Sequence, residues 1–537
     1  MPNRTGVTHF RPYMHRPYAS SGSSSFTLNQ YRSIYNFPPP SITSPLTVAV
    51  LSFGGGIFGS ISPSGVLSGG DVQAQWASLG MTSMPTVNIV FVDGATNVPN
   101  KNDVATIENT LDIATIGALC PSPLLTIILY IGAPRSSFSS VLGAALRANP
   151  SIVSISWGLD ETNFNRYDSI ASVNALLASA VAAGINVTAA TGDYGSSNGV
   201  PGINVDFPSS SPYLIACGGT TLTCPSGVYS DAGTREITWS GSGGGKSVYN
   251  SRPVWQPSSL GSMRATPDIA MNADPNTGVV YLIGGTPMIV GGTSVVSPAF
   301  AAFLACIRPS QFVTPLLYTA PSTCFNDILV GTNGFYNAGT GHDKCTGLGS
   351  IIGSSLATTL TLAPRYIAPL AKVSLLRLPT TLTLAVGSSS TAAIRVIPAA
   401  AILAWTSRNE AAASVNASTG LITAVAPGTA VITATAADGS DKRASITVTV
   451  VQLITDLSIQ PTIAIRRGRA AQLALTVSPA NATNKSVTWS SDSRLIKVNS
   501  KGLVSVSSRA VPGNTVTITA RSRDGSNKVA TCTVTAQ

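Results

Sequence analysis

The sequence predicts a large α/β domain with a parallel sheet flanked by helices, followed by two all-β sandwiches. In the first two thirds of the chain, short runs rich in β-branched residues alternate with helix-like segments. In the last third, strand-and-turn sequence repeats itself without any helical period. The predicted parts are a flexible basic arm over 1–25, the α/β domain over 26–365, and sandwiches over 372–451 and 453–537.

Five apolar runs are typical of buried parallel strands, because each has apolar residues on both faces. They are TVAVLSF (47–53), VNIVFVDG (87–94), LLTIILYIG (124–132), IVSISWG (152–158) and INVTAATGD (185–193). Between the last two runs lies ASVNALLASAVAAG (171–184), which predicts a helix that ends at Gly184. This alternation favours a single parallel sheet.

The last third of the chain consists of two related copies of about 80 residues. The matched pieces are Trp405 in AWTS with Trp489 in TWSS, and STGLITAV (418–425) with SKGLVSVS (500–507). Each copy has regular turn punctuation, a lone tryptophan and a final alternating strand. This pattern predicts tandem β-sandwiches. The copies resemble bacterial Ig-like group 2 domains, which implies a stalk or adhesive module that carries no chemistry.

Composition and charge exclude several classes of protein. Of the 537 residues, 44% are hydrophobic and 10% charged, so the chain can form large cores and does not resemble a charged disordered protein. The net charge is +10, and residues 366–537 carry 17 Lys/Arg against 6 Asp/Glu. That basic tail lacks aromatic stacking clusters, so nucleic-acid binding is not expected. Neither a secretory signal peptide nor an apolar run of about 18 residues for a membrane span is found.

The cysteines and histidines do not form a metal-binding pattern. None of the seven cysteines forms a CxxC pair and there are three histidines, so a zinc site is not expected. Cys217 with Cys224, and Cys324 with Cys345, are close enough in sequence to form disulfides, but the spacing leaves both pairings open. Because the count is odd, at least one thiol is free or pairs with another chain.

The stretch VGGTSVVSPAF (290–300) predicts a serine nucleophile, Ser294, at the start of a helix. Backbone N–H groups and the helix dipole favour a developing oxyanion there, although the same residues also form an ordinary N-cap. The usual base would be histidine, but His9 and His15 lie in the arm and His342 in a turn-rich segment. An active Ser294 therefore needs a carboxylate partner.

Three acidic residues supply candidates for that partner. ATIENTLDIATIGALC (105–120) predicts a helix with Glu108 and Asp112 on one face as its only charges. Two carboxylates in an apolar setting do not both ionise easily, so one retains a proton. Asp193 follows the run INVTAA, at the strand end where open α/β sheets place functional residues. The structural alternatives are two solvated acids on an exposed face and an aspartate that caps a turn.

In that chain order, Glu108, Asp112, Asp193 and Ser294 resemble the constellation of the sedolisins, a family of serine-carboxyl peptidases. The resemblance covers about residues 26–360. Other segments in the family's order are FTLNQYRSIYNFPP (26–39), SFGGG (52–56), SISWG (154–158), GDYGS (192–196), VDFPSSSPYLIACGGT (205–220), GGGKSVYNSRPVWQ (243–256) and PDIAMNADPNTG (267–278). The resemblance implies a subtilisin-like fold and an acid-acting endopeptidase, with tripeptidyl release as the less favoured alternative.

The resemblance also implies a role for each site residue. Ser294 attacks the scissile carbonyl, Glu108 is the general base, and Asp112 is hydrogen-bonded to Glu108 and adjusts its pKa. Asp193 donates a hydrogen bond to the oxyanion, so it must be protonated and the enzyme must work in acid. Ser156 to Gly158 supply the edge-strand backbone against which an extended polypeptide substrate pairs.

A calcium site is implied by the segment CFNDILVGTNGFYNAGTGHDKCTGLGS (324–350), which resembles the sedolisin calcium loop. Oxygen donors on a glycine-rich loop suit a hard cation such as Ca²⁺, although such loops are commonly just turns. The implied ligands are the side chains of Asp327 and Asp343 and the backbone carbonyls of Ile328, Gly339 and Gly341.

The two ends of the chain bear on location and partners. The family's members carry a long propeptide, and the arm over 1–25 is too short to be an equivalent. The family and the Ig-like tail together favour an exported protein at a cell or particle surface, where the basic tail would bind a surface, glycan or protein ligand. The competing hypothesis is an adhesive surface protein whose peptidase domain is inactive.

Overall fold

The computed structural model describes residues 8–15, 25–362, 375–397, 403–417, 419–436 and 442–537. The chain divides into two compact units, Met1–Pro369 and Leu370–Gln537. Among the described residues, no helix is both long and apolar enough to cross a membrane.

The first unit contains both strands and helices. Its strands are β1 (Arg11–Pro12), β2 (Leu46–Phe53), β3 (Ser60–Ile61), β4 (Leu67–Ser68), β5 (Thr86–Val92), β6 (Leu125–Gly132), β7 (Ile152–Ile155), β8 (Trp157–Asp160), β9 (Asn186–Ala190), β10 (Asp206–Phe207), β11 (Ile215–Thr223), β12 (Arg235–Thr238), β13 (Gly245–Ser251), β14 (Met263–Thr266), β15 (Ile269–Asn272), β16 (Val279–Ile283), β17 (Thr286–Val290), β18 (Phe325–Asn326) and β19 (Ser350–Ile351). Its α-helices are α1 (Leu28–Ile34), α2 (Asp71–Ser78), α3 (Val104–Leu119), α4 (Phe138–Arg147), α5 (Glu161–Phe164), α6 (Ile170–Ala182), α7 (Thr293–Ile307), α8 (Thr314–Leu317) and α9 (Gly353–Leu362). Short 3-10 turns span Gly195–Ser197, Ser258–Leu260, Pro275–Thr277 and Ser322–Cys324.

The central sheet has the strand order β12-β11-β9-β7-β2-β6-β5, and β15 also pairs with β11. All neighbours from β5 to β11 are parallel, as is the β11–β15 pair, whereas β12 is antiparallel. The five predicted strands all lie in this sheet, which confirms the predicted α/β class. The run 152–158 differs in one respect, because it breaks at Ser156 into β7 and β8, and β8 leaves the sheet to pair with β1 and β10.

Helices cover both faces of this sheet. Alternate residues of β2 face opposite cores: Val48 and Val50 pack with α3 and α7, whereas Ala49 and Leu51 pack with α4 and α6. Every residue of α7 is buried, as is every residue of α3 except Val104. These two adjacent, solvent-excluded helices carry the candidate base and nucleophile.

The second unit is all-β, with strands β20 (Leu375–Arg377), β21 (Thr381–Ala385), β22 (Ser389–Thr391), β23 (Arg395–Ile397), β24 (Leu403–Ser407), β25 (Ala413–Val415), β26 (Leu421–Ala424), β27 (Gly428–Ala436), β28 (Arg443–Val451), β29 (Asp456–Ile459), β30 (Thr462–Ile465), β31 (Ala470–Gln472), β32 (Leu475–Ser478), β33 (Val487–Ser491), β34 (Ile496–Val498), β35 (Leu503–Val506), β36 (Thr515–Ser522) and β37 (Val529–Ala536). The first copy has sheets β21-β28-β27-β24 and β22-β26-β25, and the second has β30-β37-β36-β33 and β31-β35-β34. This identical order in two copies is the repeat that the sequence predicts.

Residues 8–15 correct the expectation of a flexible arm over 1–25. Phe10 and Tyr13 are each 1% exposed, and the Phe10 ring packs against Phe53, Phe138 and Phe164. The aromatic residues among the arginines of this segment are the signal that a reading of its charge alone overlooked. The rest of the predicted arm, apart from Ser25, lies outside the described residues.

The cysteines, all of which lie in the described part of the chain, are buried and free. Neither of the two pairings suggested by spacing is therefore formed in this structure. Cys217 lies within β11, where its Sγ contacts the carbonyl oxygen of Ile215, and the Cys324 Sγ lies 3.3 Å from the hydroxyl of Thr359.

Candidate active site

Ser294 lies in the first turn of α7, as the sequence predicts. The helix begins after Gly292, whose φ of +113° is accessible to glycine and strained for other residues. A Cβ built on Gly292 would collide with the carbonyl oxygen of Tyr13 and would lie 2.5 Å from Oδ2 of Asp193. Ser294 is fully buried, and its hydroxyl donates to the carbonyl oxygen of Ser156 at 3.4 Å. Ser294, Asp193 and Tyr13 therefore converge on Gly292.

Glu108 and Asp112 lie on α3, next to α7, and both are completely buried. The alternative of two solvated acids on an exposed face is wrong. Burial is the main cause that raises the pKa of both carboxyls well above the ordinary range, and the charge of Asp112 raises that of Glu108 further. The hydroxyls of Ser294 and Ser156 lie close enough to Glu108 to lower its pKa. Neither oxygen of Glu108 has a hydrogen-bond partner within the described part of the chain, so this carboxyl is free to accept a proton.

Asp112 has a different partner from the one expected. The Ser156 hydroxyl donates to Oδ1 of Asp112 at 2.7 Å, whereas Oδ2 has no hydrogen-bond partner among the described residues. The expected hydrogen bond between Asp112 and Glu108 is therefore not formed here, and Asp112 acts on Glu108 through its charge. The sequence predicted only a backbone role for Ser156. Its position at the break between β7 and β8 directs its side chain into the site.

Asp193 follows β9 by three residues and packs against the start of α7. Its Oδ1 accepts hydrogen bonds from the backbone N–H and the hydroxyl of Thr293, both at 2.8 Å. Its Oδ2 is buried and has no hydrogen-bond partner in the described structure. Burial raises the pKa of Asp193, and the neighbouring His15 and the two hydrogen bonds from Thr293 oppose that rise. This geometry leaves Oδ2 available to donate a hydrogen bond when it is protonated.

The backbone from Ser156 to Gly158, predicted to pair with a substrate, is a pairing edge in the structure. It is occupied by the chain's own residues: Arg11 and Pro12 pair antiparallel with Gly158 and Trp157, and the Tyr13 N–H donates to the Ser156 carbonyl at 3.1 Å. The carbonyl oxygen of Tyr13 itself contacts the candidate nucleophile, because it accepts a hydrogen bond from the Ser294 N–H at 2.9 Å.

The Tyr13 side chain fills a buried pocket beneath this edge. A Cβ built on Gly158 would lie 2.5 Å from the Tyr13 hydroxyl oxygen, so only glycine leaves room for the ring. The fully buried Asp206 lies beside this hydroxyl, and burial raises its pKa to about 7. Arg11 lies 3.6 Å from Asp206 and opposes that rise. Sequence reasoning missed Asp206 because VDFP reads as an ordinary strand and turn.

The three histidine side chains contact groups other than the Ser294 hydroxyl. His9 stacks on Tyr167 at 4.4 Å between ring centroids, and His342 bonds to the Pro267 carbonyl at 3.1 Å. His15 has its Nε2 3.7 Å from Oδ2 of Asp193. Among the described hydrogen bonds, none joins an imidazole to Ser294, whose hydroxyl donates to the Ser156 carbonyl oxygen.

The predicted calcium ligands meet on one loop. Oδ2 of Asp327 accepts a hydrogen bond from the Gly341 N–H at 2.9 Å, and Oδ2 of Asp343 accepts one from the Gly339 N–H at 3.1 Å. Both carboxylates thus reach the same glycine turn, and Ile328 directly follows Asp327. No group of three or more His, Cys, Asp or Glu side chains with metal-binding geometry occurs in the described residues. A cation here would therefore depend on the two carboxylates and on backbone oxygens.

Comparisons with known proteins agree with this geometry. Residues 84–315 match the family described as "Subtilase family", and residues 378–448 and 454–534 each match "Bacterial Ig-like domain (group 2)". The chain is 36% identical over 373 residues to kumamolisin of Bacillus sp. (strain MN-32), a match that covers 64% of each chain. It is 29% identical over 360 residues to sedolisin of Pseudomonas sp. (strain 101), covering 60% of this chain and 59% of that one. The chain thus spans about three fifths of the length of these relatives.

Solved structures include a similar fold. Pseudomonas sedolisin, a serine-carboxyl proteinase solved with two molecules of pseudo-iodotyrostatin, aligns with a TM-score of 0.53 and 26% identity. That alignment covers 63% of this chain and 98% of the sedolisin chain. Together with the buried serine and carboxylates, these matches show that the chain carries a serine-type peptidase domain that is similar to the sedolisins, followed by two bacterial Ig-like domains of group 2.

Proposed function

We propose that this protein is an acid-acting serine-carboxyl endopeptidase. The observation that carries the proposal is that Glu108 lies beside the Ser294 hydroxyl, while the Ser294 N–H donates to the Tyr13 carbonyl oxygen and Oδ2 of Asp193 lies against Gly292 together with that oxygen. A nucleophile, a base and an oxyanion donor around one carbonyl are what acyl transfer requires.

Glu108 is the general base of this mechanism. It takes the proton of the Ser294 hydroxyl as the oxygen attacks the carbonyl carbon, and it returns that proton to the leaving amine. Its unpartnered oxygens, buried next to the serine, support this role. Asp112 raises the proton affinity of Glu108 through its charge, and the Ser156 hydroxyl fixes Asp112 at 2.7 Å.

Asp193 supplies the second oxyanion donor. The Ser294 N–H donates to the Tyr13 carbonyl oxygen, and a Cβ built on Gly292 would contact both that oxygen and the Oδ2 of Asp193. A protonated carboxyl donates to the oxyanion, whereas an ionised one repels it. Because burial raises the pKa of Asp193, its protonated form persists to higher pH than that of a free aspartate. Activity should therefore be high in acid and fall as pH rises through this pKa.

An extended polypeptide is the substrate class that the cleft suits. The segment 8–15 enters as an antiparallel strand on β8 and continues past Ser294, where His15 pairs with Gly291 through two 2.9 Å hydrogen bonds. More than three residues thus precede the carbonyl at Ser294. A segment that continues on both sides of Ser294 supports an endopeptidase over release of tripeptides.

Calcium is part of the proposal as a structural cation. Asp327 and Asp343, with backbone oxygens of Ile328, Gly339 and Gly341, would hold it, and the approach of both carboxylates to one glycine turn supports this ligand set. The ion would supply positive charge that fixes the loop after α8. The basic Ig-like tail would attach the enzyme to a surface, glycan or protein outside the cell.

The experiment measures hydrolysis of an unstructured polypeptide between about pH 3 and pH 7, which spans the ordinary and raised carboxyl pKa range. The wild type should be active in acid, and Ser294→Ala and Glu108→Gln should each lose at least about a thousandfold in kcat. Ser297→Ala is the matched control, since Ser297 lies one turn further along α7 and bonds to Thr188 at 3.0 Å. Wild-type protein without turnover at any acidic pH, or a Ser294→Ala variant as active as Ser297→Ala, would contradict the proposal.

A further inference from the structure

Exposed arginines gather at one end of the second Ig-like domain. Three lie in the turn between β30 and β31, one lies between β33 and β34, and one follows β35: Arg466, Arg467, Arg469, Arg494 and Arg509. Backbone hydrogen bonds join these turns, from the Gly468 N–H to the Val506 carbonyl and from the Ser507 N–H to the Leu495 carbonyl, both at 2.8 Å. The five side chains therefore lie on neighbouring turns, which we call the arginine surface.

Little negative charge opposes the arginine surface. Asp492 is the one acidic side chain on these turns, and its Oδ1 already accepts a hydrogen bond from the Thr517 N–H at 3.1 Å. Nη1 of Arg467 donates to a neutral group, the Ala510 carbonyl, at 3.4 Å. No salt bridge of the described residues includes any of the five guanidinium groups. The surface thus presents a concentrated positive charge to a partner.

The first Ig-like domain shows that the fold does not require these arginines. Its turn at Gly387 makes the backbone hydrogen bond that the turn at Gly468 makes, here to the Ala424 carbonyl at 2.9 Å. Counted from these two glycines, the residues in place of the first three arginines are Ala385, Val386 and Ser388. The turn between β24 and β25 carries the opposite charges of Arg408 and Glu410. The arginine surface is therefore a property of the second domain alone.

Two exposed aliphatic side chains accompany the arginines. Val511 is 59% exposed and Leu495 is 39% exposed. Residues 370–537 contain neither phenylalanine nor tyrosine, so the surface lacks the aromatic rings on which nucleic-acid bases stack. Basic and aliphatic side chains together suit the surface of an anionic bilayer, because the headgroups attract the charge and the acyl boundary takes up the apolar groups.

We propose that the arginine surface binds membranes that contain anionic phospholipids. This inference rests on the attachment role proposed for the tail and does not depend on peptidase activity. Each guanidinium offers a planar fork of N–H donors to the oxygens of a phosphate headgroup, and Val511 and Leu495 would enter the interface. Because arginine keeps its charge in acid, the attachment would persist where the peptidase is proposed to work.

The test measures how much of the whole chain, carrying Ser294→Ala to prevent digestion, sediments with lipid vesicles. One set of vesicles contains equal parts of phosphatidylcholine and phosphatidylglycerol, and the other contains phosphatidylcholine alone. The protein should bind the mixed vesicles and not the neutral ones. High salt should release it, because salt screens the attraction between exposed charges.

The decisive variant gives three arginines the residues of the first Ig-like domain, as Arg466→Ala, Arg467→Val and Arg469→Ser together. It should bind the mixed vesicles about a hundredfold more weakly, since each basic residue near an anionic surface contributes about fivefold. Calorimetry should show an unchanged unfolding transition of the tail, because the first domain folds with these residues. Lysine at the same three positions keeps the charge and should retain binding within about fivefold.

The matched control removes the same charge at the other end of the domain. It combines Lys485→Ala, Arg521→Ala and Lys528→Ala, which lie near the end of β36 that is remote from the arginine surface. Because these residues are not on the proposed contact, binding should fall by less than about fivefold.

Several results would overturn the inference. These are equal binding to both kinds of vesicle, a neutral triple variant that binds as well as the parent, or a lysine variant that binds as weakly as the neutral one. Binding to immobilised dextran sulfate without binding to mixed vesicles would overturn the lipid partner, while attachment to an anionic polysaccharide would remain. If the protein binds neither, the attachment role itself fails. Hydrolysis of the unstructured polypeptide by the wild type tests the peptidase proposal separately.

Discussion

The two units of this protein treat charge in opposite ways. The peptidase domain buries ionisable side chains, among them Glu108, Asp112, Asp193 and Asp206. In the described part of the Ig-like tail no charged side chain is buried, although most of the chain's basic excess lies there. Burying a charge is costly unless a partner or a proton neutralises it. The difference indicates that the free-energy cost of burying carboxyl groups is borne by the domain that carries the candidate catalytic residues.

The largest effect expected from this difference is on how the free energy of unfolding of the peptidase domain changes with pH. Burial raises the pKa of Glu108, Asp112, Asp193 and Asp206 in the folded state. Between the unfolded and folded pKa values the folded state binds more protons, so its free energy of unfolding falls as pH rises. For Asp206 alone, a pKa near 7 corresponds to about 4 kcal/mol at most.

Thermal unfolding of the Ser294→Ala variant between about pH 4 and pH 8, a range set by these pKa values, would measure this effect. The variant prevents self-digestion. The transition of the peptidase domain should move to lower temperature as pH rises, whereas that of the tail should hardly move. A peptidase transition that rises over this interval would show that the carboxylates are not buried as described.

A smaller effect is expected at Ser156, whose hydroxyl donates to Asp112 at 2.7 Å. Ser156→Ala removes a hydrogen bond to the charged form, so the pKa of Asp112 should rise and the acid limb of the pH–rate profile should move to higher pH. Loss of this bond should lower kcat about ten- to a hundredfold, in line with about 1.5–3 kcal/mol for hydrogen bonds to charged groups. Ser297→Ala should change neither quantity, and an unshifted acid limb in Ser156→Ala would remove Ser156 from the mechanism.

Substitutions within the Ig-like tail are expected to leave turnover unchanged. Gly502 has φ +80°, and a Cβ there would lie 2.7 Å from the Trp489 indole. Gly513 has a similar φ of +83° but no atom within 4 Å of a built Cβ. Both alanine variants should lose about 1–2 kcal/mol through backbone strain, and Gly502→Ala should lose more through the clash. Calorimetry measures this difference, and a fall in kcat/KM in either variant would contradict the separation of the two units.

The sequence predicted the fold and the catalytic candidates because both depend on local patterns. Buried parallel strands, the helix with Glu108 and Asp112, and the Gly–Thr–Ser start of α7 are each legible within about a dozen residues. Contacts between distant segments leave no such local pattern and cannot be predicted from one. The Ser156–Asp112 hydrogen bond depends on a strand break 44 residues away, and the pocket of Tyr13 needs Gly158 and Asp206 to meet.

The arm shows a second limit of sequence reasoning. A basic stretch with proline and serine is typical of a solvated tail, so HFRPYM was assigned to one. In the structure Phe10 and Tyr13 are buried by partners that lie more than 40 residues away, which composition does not reveal. Only the order of aromatic residues within the segment hinted that it binds something.

The pH–rate profile of Asp193→Asn tests the central claim, that a protonated carboxyl stabilises the oxyanion. Asparagine keeps an oxygen to accept from Thr293 and places an amide donor at the Oδ2 position, where it needs no added proton. The variant should therefore retain activity, and its alkaline limb should move towards neutral pH relative to the wild type. An alkaline limb identical to that of the wild type would contradict this account, because the proton lost there could not belong to Asp193.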